Sequence, residues 1–420
     1  MRSAAAAIAL GVVTYGCSAP QGPVVLELWA MGREGEVVAE LTADFEAAHP
    51  GVRVHVQQIP WQSAHEKLLT AFVGDATPDV AQLGNTWIPE LAALGALRPL
   101  DGFASGSRAV PRDDYFPGIW QTNVVGGALY GIPWYVDTRL LFYRTDLLKK
   151  AGYDAPPQRW DEWLRMLNAI QRLPGPEHYS VLLPLNEFEP LLVLGLQMDE
   201  PLLRDGGRRG NFRSAGFQRA LAFYLQVFQE GLAPRATNTQ ISNVWNEFTR
   251  GYFSFYITGP WNIGEFKRRL PAELQGSWAT APMPGPEGPG ASSAGGASLV
   301  VFQRSKHPEA AWQLIEMLSS PEAQRRFYAL SGNLPPRRTS WEDPGLAGDP
   351  RALAFLAQLE RVKPLPQVPE WQRIATELMV VGEHAVHGEL TVEAAAAELD
   401  ARADRILEKR RWMLDREARK

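Results

Sequence analysis

A single carboxylate, Asp137, lies within Gly131-Ile-Pro-Trp-Tyr-Val-Asp-Thr-Arg-Leu-Leu-Phe-Tyr-Arg144. Trp134 and Tyr135 precede it, and the apolar run Leu140 to Tyr143 follows as a buried strand. A lone acid between rings on the way into a core strand either faces water at a turn or accepts hydrogen bonds from a ligand. Trp261 presents a similar choice. It ends the nearly apolar stretch Gly251-Tyr-Phe-Ser-Phe-Tyr-Ile-Thr-Gly-Pro260, either as a core ring behind a turn or as a ring thrown out at the strand's carboxyl end. Exposed rings make flat, amphipathic ligand contacts, so these two places are the first candidates for a binding surface.

Catalytic chemistry is harder to build. Glu187 and Glu189, in Asn186-Glu-Phe-Glu-Pro190, are two residues apart and point to opposite faces if the segment is a strand. They are therefore no obvious acid/base pair. His384 and His387 beside Glu383 read as a solvated helix face, since no further ligand cluster joins them, and no metal or other cofactor is expected. The chain contains no Gly-x-Ser-x-Gly elbow, no His-Glu-x-x-His and no phosphate-binding glycine loop. A net charge of −5 over 420 residues gives no footprint for nucleic acid. The start of the chain reads as an export signal: Met1-Arg2, then the small apolar segment Ala4 to Val13, then Gly16-Cys17-Ser18. Cys17 is the only cysteine, so it forms no internal disulfide and is a candidate for lipidation.

The elements that must carry these residues follow from periodicity. Val24 to Trp29 is a strand, Glu36 to His49 a helix with Val37, Val38, Leu41 and Phe45 on one face, and Val52 to Gln57 an alternating second strand. A second helix around His65 to Phe72 and a strand Asp79 to Leu83 complete a strand–helix–strand–helix–strand series. That order predicts an open, mainly parallel sheet with flanking helices. Ligands in such α/β folds sit beyond the carboxyl ends of strands, here the loops Ala30 to Gly35 and Gly84 to Trp87. A helical pattern runs from Asp146 to about Asn186, with Trp160 and Trp163 on its buried face. A further helix spans Phe217 to Phe228, others open at Pro308 and at Ser320-Pro321, and the tail from Glu393 reads as a surface helix. Extended passages near 133–138, 279–284 and 333–338 imply two lobes that the chain visits alternately, with a cleft between them. The expected organisation is a signal and linker over 1–23, lobe 1 from 24–134 plus 283–335, and lobe 2 from 137–280 plus 338–415.

The co-linear order of Phe45-Glu-Ala-Ala-His-Pro-Gly-Val-Arg-Val54, Gly131-Ile-Pro to Leu147, Gly251 to Trp261, Ser320-Pro-Glu-Ala323 and Gly332-Asn-Leu-Pro335 resembles the bacterial extracellular solute-binding proteins of sugar ABC transporters, the maltose-binding type. The resemblance spans nearly the whole mature chain. It implies a two-lobed periplasmic-binding-protein fold, no enzymatic activity, and capture of a carbohydrate for a membrane permease by a monomer in the periplasm or at the outer face of the membrane. By position it implies that Asp137 accepts sugar hydroxyls, that Trp261 and Trp371 stack on pyranose rings, and that Arg33, Glu34, Asn85 and Thr86 bond the sugar from lobe 1. Trp87, Trp134, Tyr135, Gly296 and Arg373 are adjoining candidates. Glu187 and Phe188 lie where relatives carry a Glu-Pro-Tyr contact, and Ala297 stands where many have an aromatic. The Trp pair points to maltose, a maltodextrin or trehalose. The alternatives are another solute such as a polyamine or polyol, and an exported glycoside-processing enzyme.

Overall fold

The computed structural model describes residues 22–241 and 243–417. Cys17 and the rest of the export segment lie outside the described residues.

The first half of the chain alternates as its periodicity predicts. Strand β1 (Val24–Met31) leads into helix α1 (Gly32–Ala48), strand β2 (Val52–Ile59) into helix α2 (Trp61–Val73), and strand β3 (Val80–Gly84) follows. β1 pairs in parallel with both β2 and β3. Val37, Val38, Leu41 and Phe45 form the buried face of α1, as their 3.6-residue spacing requires. One sequence expectation changes here. Arg33 and Glu34 lie in the first turn of α1 rather than in a free loop, because the helix begins directly after the strand.

Strand β4 (Ile132–Asp137) crosses to strand β5 (Leu140–Arg144) through only Thr138 and Arg139. β5 opens a second sheet with strands β6 (Tyr179–Leu182), β7 (Phe253–Thr258) and β8 (Trp278–Ala281), in the order β8-β5-β7-β6. Two of its three pairings are antiparallel, so this sheet is not mainly parallel. β6 also corrects the continuous helical reading of 146–186: helix α3 (Trp160–Gln171) ends first, and the β-rich Tyr179–Leu182 forms an edge strand. The mostly buried helix α4 (Glu189–Leu196) and helix α5 (Ala215–Gln229) cover one face of the sheet, while helix α6 (Trp261–Arg269) begins at the end of β7.

Strand β9 (Ser292–Val301) returns to the first sheet, antiparallel to β3 and β4. Helices α7 (Pro308–Leu318) and α8 (Pro321–Ser331) then pack against that lobe. Ser320 Oγ accepts the Ala323 N–H at 3.1 Å, a cap that contributes about 1 kcal/mol. Helix α9 (Pro350–Leu359) covers the other face of the second sheet through Phe355, near Phe142. Strand β10 (Val362–Pro364) falls in the stretch expected in lobe 2, yet its hydrogen bonds run to β9 of the first sheet. Helices α10 (Trp371–Val386) and α11 (Val392–Ile406) return to the second lobe, and helix α12 (Glu408–Glu417) ends the described chain. α11 buries Ala395, Ala396, Leu399 and Ala403, so the tail is half core rather than a surface helix. The result is an α/β fold of two lobes, each built on its own sheet. No helix of the described residues is long and apolar enough to cross a membrane.

Candidate ligand-binding site

A cleft of about 550 Å³ opens between the two sheets, within the range of small-ligand sites. One wall comes from the first lobe. Glu34 projects from the first turn of α1, Trp61 from the first residue of α2, and Asn85-Thr86-Trp87 from the turn that ends β3. The opposite wall holds Phe188, Glu189 and Leu192 at the start of α4, and Pro260-Trp261 at the start of α6. Tyr135, Asp137 and Arg139 lie on the floor where β4 passes into β5. Size alone does not single this cleft out. A second cavity of similar volume lies around Leu196–Leu203 and Lys363–Val368, but no aromatic residue lines it among the described residues.

The polar groups of the cleft are held in place by partners. Glu34 is buried; it accepts from Asn333 Nδ2 at 2.7 Å and, at a long 3.4 Å, from Trp61 Nε1. The Tyr135 hydroxyl accepts from Gln82 Nε2 at 3.1 Å, while Gln82 Oε1 accepts the Met31 N–H. Burial first, and then the charges of Glu34 and Asp137, push the Tyr135 phenol well above its ordinary pKa, so it stays a hydroxyl. Asn85 is mostly spent internally: it donates to Thr122 Oγ1 at 2.8 Å and accepts from Ser298 Oγ at 2.9 Å.

On the floor, Arg139 bridges two acids, donating to Asp137 Oδ1 at 2.6 Å and to Glu189 Oε1 at 2.9 Å. Burial works against its charge, but the Asp137 and Glu189 carboxylates outweigh it and raise its pKa above the usual arginine value. The same guanidinium lies 4.7 Å from the centre of the Trp261 ring. Trp261 nevertheless remains 44% exposed, a large apolar ring open to solvent inside a cleft. A glycine before the proline is required for this pose, since a Cβ at Gly259 would stand 1.9 Å from the ring. Gly296 meets a similar limit: its φ is +125°, and a Cβ there would fall 2.1 Å from the Tyr135 carbonyl oxygen. Trp61 and Trp87 form a tilted pair with centroids 5.5 Å apart on the first wall.

The cleft thus gathers Glu34, Asn85, Thr86, Trp87, Tyr135, Asp137, Phe188, Trp261 and Gly296 from the sequence-derived candidates. Five others lie elsewhere. Arg33 is exposed and pairs with Glu36 at 2.7 Å on the outside of α1. Trp134 is fully buried and stacks on Phe327 in the core of the first lobe, with the Tyr135 ring tilted against both. Glu187 faces Asn238, whose Nδ2 donates to it; burial chiefly raises its pKa. Trp371 is 1% exposed because it shares the inner face of α10 with Ile374, Ala375 and Leu378. Arg373 sits in a separate surface groove with Glu377, Glu398 and Arg402. Sequence reasoning missed Trp61, Arg139, Glu189, Asn333 and Gln372 as lining residues. Only Arg139 and Glu189 carried a signal, as charges beside Asp137 and inside the polar Asn186–Pro190 segment.

Comparison with known proteins fits this architecture. A family profile described as bacterial extracellular solute-binding protein matches residues 32–325. The chain is 55% identical to the sugar-binding protein MalE from the phytopathogen Xanthomonas citri, over 93% of this chain and 99% of that one, with a TM-score of 0.91. It is 25% identical to an ABC transporter solute-binding protein from Thermotoga lettingae bound with α-D-tagatose, covering 91% of this chain and all of that one, with a TM-score of 0.76. A putative binding protein of Brucella abortus is 26% identical over 95% of this chain and 97% of its own. With two lobes around a ring-lined cleft and a profile match over most of its length, the chain belongs to the bacterial extracellular solute-binding proteins.

Proposed function

We propose that this protein is the extracytoplasmic sugar-binding subunit of an ABC importer, taking an α-glucoside of the maltose, maltodextrin or trehalose type. The observation that carries the reading is the half-exposed Trp261 ring beside the Asp137–Arg139–Glu189 cluster in a cleft with a wall from each lobe. A sugar presents apolar C–H faces and hydroxyl edges; the ring suits the first and the carboxylates the second. The likeness to a sugar-binding MalE at 55% identity supports the same class.

In this reading Trp261 is the stacking platform, Asp137 accepts hydroxyls, and Glu34, Trp61 and Trp87 complete the subsite from the first lobe. The stretches near 133–138, 279–284 and 333–338 act as hinges, and closure presents the permease with a surface that the open form lacks. The protein works as a monomer, exported and tethered through a lipid on Cys17. It binds without catalysis: Asp137 and Glu189 are both committed to Arg139, which leaves neither as a free general acid.

The test is isothermal titration and tryptophan fluorescence of the mature protein against maltose, maltotriose, trehalose, sucrose, cellobiose and glucose, with product analysis. Saturable binding of one sugar without its breakdown is the expected result. Silence towards every sugar would remove the sugar reading, and release of a reducing sugar would make the protein an enzyme.

A further inference from the structure

Arg139 occupies a position that the proposed binding of a sugar does not by itself explain. It is one of the two residues joining the first sheet to the second, and its side chain keeps 15% exposure. Its backbone is pinned, because the fully buried Ser292 donates its hydroxyl to the Arg139 carbonyl at 2.6 Å. One guanidinium then serves three groups from three elements: Asp137 at the end of β4, Glu189 in the first turn of α4, and the ring of Trp261 at the start of α6. Glu187 adds a further negative charge facing it, and the Tyr256 phenol of β7, kept neutral by burial, completes its surroundings. Across the cleft stands Glu34.

Without the guanidinium, the cleft holds three carboxylates, Glu34, Asp137 and Glu189, among the rings of Trp61, Trp87, Tyr135, Phe188 and Trp261, with the charge of Glu187 acting from outside its lining. That is the chemistry of a site for an organic polycation, in which acids pair with ammonium groups and rings cover the methylenes. The guanidinium neutralises part of that charge, and covers one face of Trp261 while the ring keeps area open to the cleft.

We infer that Arg139 is the positioning and class-determining residue of the cleft: it aligns Asp137, Glu189 and Trp261 for an uncharged polyhydroxylated ligand and bars polyamines from the same scaffold. The inference rests on the sugar reading above and deepens it. A lysine would keep the charge but could not fork between two carboxylates while lying flat on an indole, so charge and alignment are separable by substitution.

The experiment uses the mature protein and its Arg139→Met and Arg139→Lys variants, each checked for an intact fold by melting temperature. Each is titrated with the sugar panel, putrescine and spermidine from pH 5 to pH 8.5. In parallel, 5-fluorotryptophan is incorporated, and the Trp261 fluorine resonance is assigned with a Trp261→Phe variant. The parent is expected to bind sugar and to ignore both amines. Arg139→Met should lose at least tenfold in sugar affinity, because Asp137, Glu189 and Trp261 lose the group that aligns them. It should also gain saturable amine binding, with the Trp261 resonance displaced in the ligand-free protein. Arg139→Lys should still exclude amines, with an intermediate loss for sugar and a displaced Trp261 resonance.

Sugar affinity within twofold of the parent at every pH in Arg139→Met would overturn the inference, as would amine binding by the parent or an unmoved Trp261 resonance in both variants. A parent silent to all sugars would instead sink the sugar reading, and the ligand-free resonance and the amine titrations would still judge Arg139. Should Arg139→Met fail to fold, the lysine variant keeps the test decisive, since unchanged sugar affinity and an unmoved resonance there overturn the alignment role.

Discussion

Asp137 and Trp261 divide the work of the proposed site by chemistry, and single substitutions separate their shares. Asp137→Ala removes a charged acceptor from the cleft floor and should weaken sugar binding by about 1.5–3 kcal/mol, read by titration calorimetry. Trp261→Ala should cost about 1–2 kcal/mol of affinity through lost apolar contact. It should leave the melting temperature nearly unchanged, because the ring is already 44% exposed in the free protein. Glu187 makes a prediction about pH. Burial raises its pKa above the ordinary carboxylate value, so the folded state holds the proton more tightly than the unfolded chain does. Its contribution to stability therefore falls as pH rises from the unfolded value through the folded one. Glu187→Gln should raise the melting temperature relative to the parent at pH 7, and the gap should close towards pH 4. A gap that widens on acidification would contradict this. At this scale the sequence was partly legible. Asp137 and Trp261 stood out because a lone acid and a ring after Gly-Pro interrupt otherwise apolar runs. Trp134 and Trp371 lie buried in the core instead, because positional likeness names a residue type without saying whether its packing leaves the ring open. Arg139 was overlooked because its role comes from partners on two other elements, Glu189 and Trp261, which only the folded chain brings to it.

The elements that hold these residues were readable where periodicity was strong. α1, α5 and α7 carry their apolar residues on one face and fall where the spacing put them. Tyr179–Leu182 failed for a physical reason: four apolar-rich residues after a long helical pattern look alike as strand and helix, and pairing with β7 decides between them. β10 is three residues long and contains a proline, so only its register against β9 identifies it. The sharpest constraint at this level is Gly296, where β9 passes β4. An alanine there meets both a φ of +125° and a carbonyl oxygen 2.1 Å from the new Cβ. Gly296→Ala should destabilise the fold by at least about 2 kcal/mol, visible as a lower urea midpoint with the slope retained. It should also displace Tyr135 and Asp137, and so weaken binding in step.

For the whole molecule, the proposed mechanism requires that the two walls approach each other when the cleft fills. Small-angle scattering with saturating ligand should give a smaller radius of gyration than the free protein. Identical profiles would leave binding without the closure that a permease could sense. Two lobes and a cleft were foreseeable from extended, proline-bearing passages between apolar blocks. The mixed pairing of the second sheet was not, because strand direction is fixed by long-range neighbours rather than by local pattern.

The course of β9 carries a consequence for how the chain comes into being. The first three strands are made early, yet β3 and β4 find their common neighbour only when Ser292–Val301 has been synthesised, after the whole second sheet. Until then the first lobe has an unfinished edge, and the contacts between β3 and β9 that close it span about half of the chain. Such non-local pairing folds slowly. A chain that cannot shut its first lobe while its middle is still emerging stays threadable for longer, which suits a protein that crosses a membrane before it works.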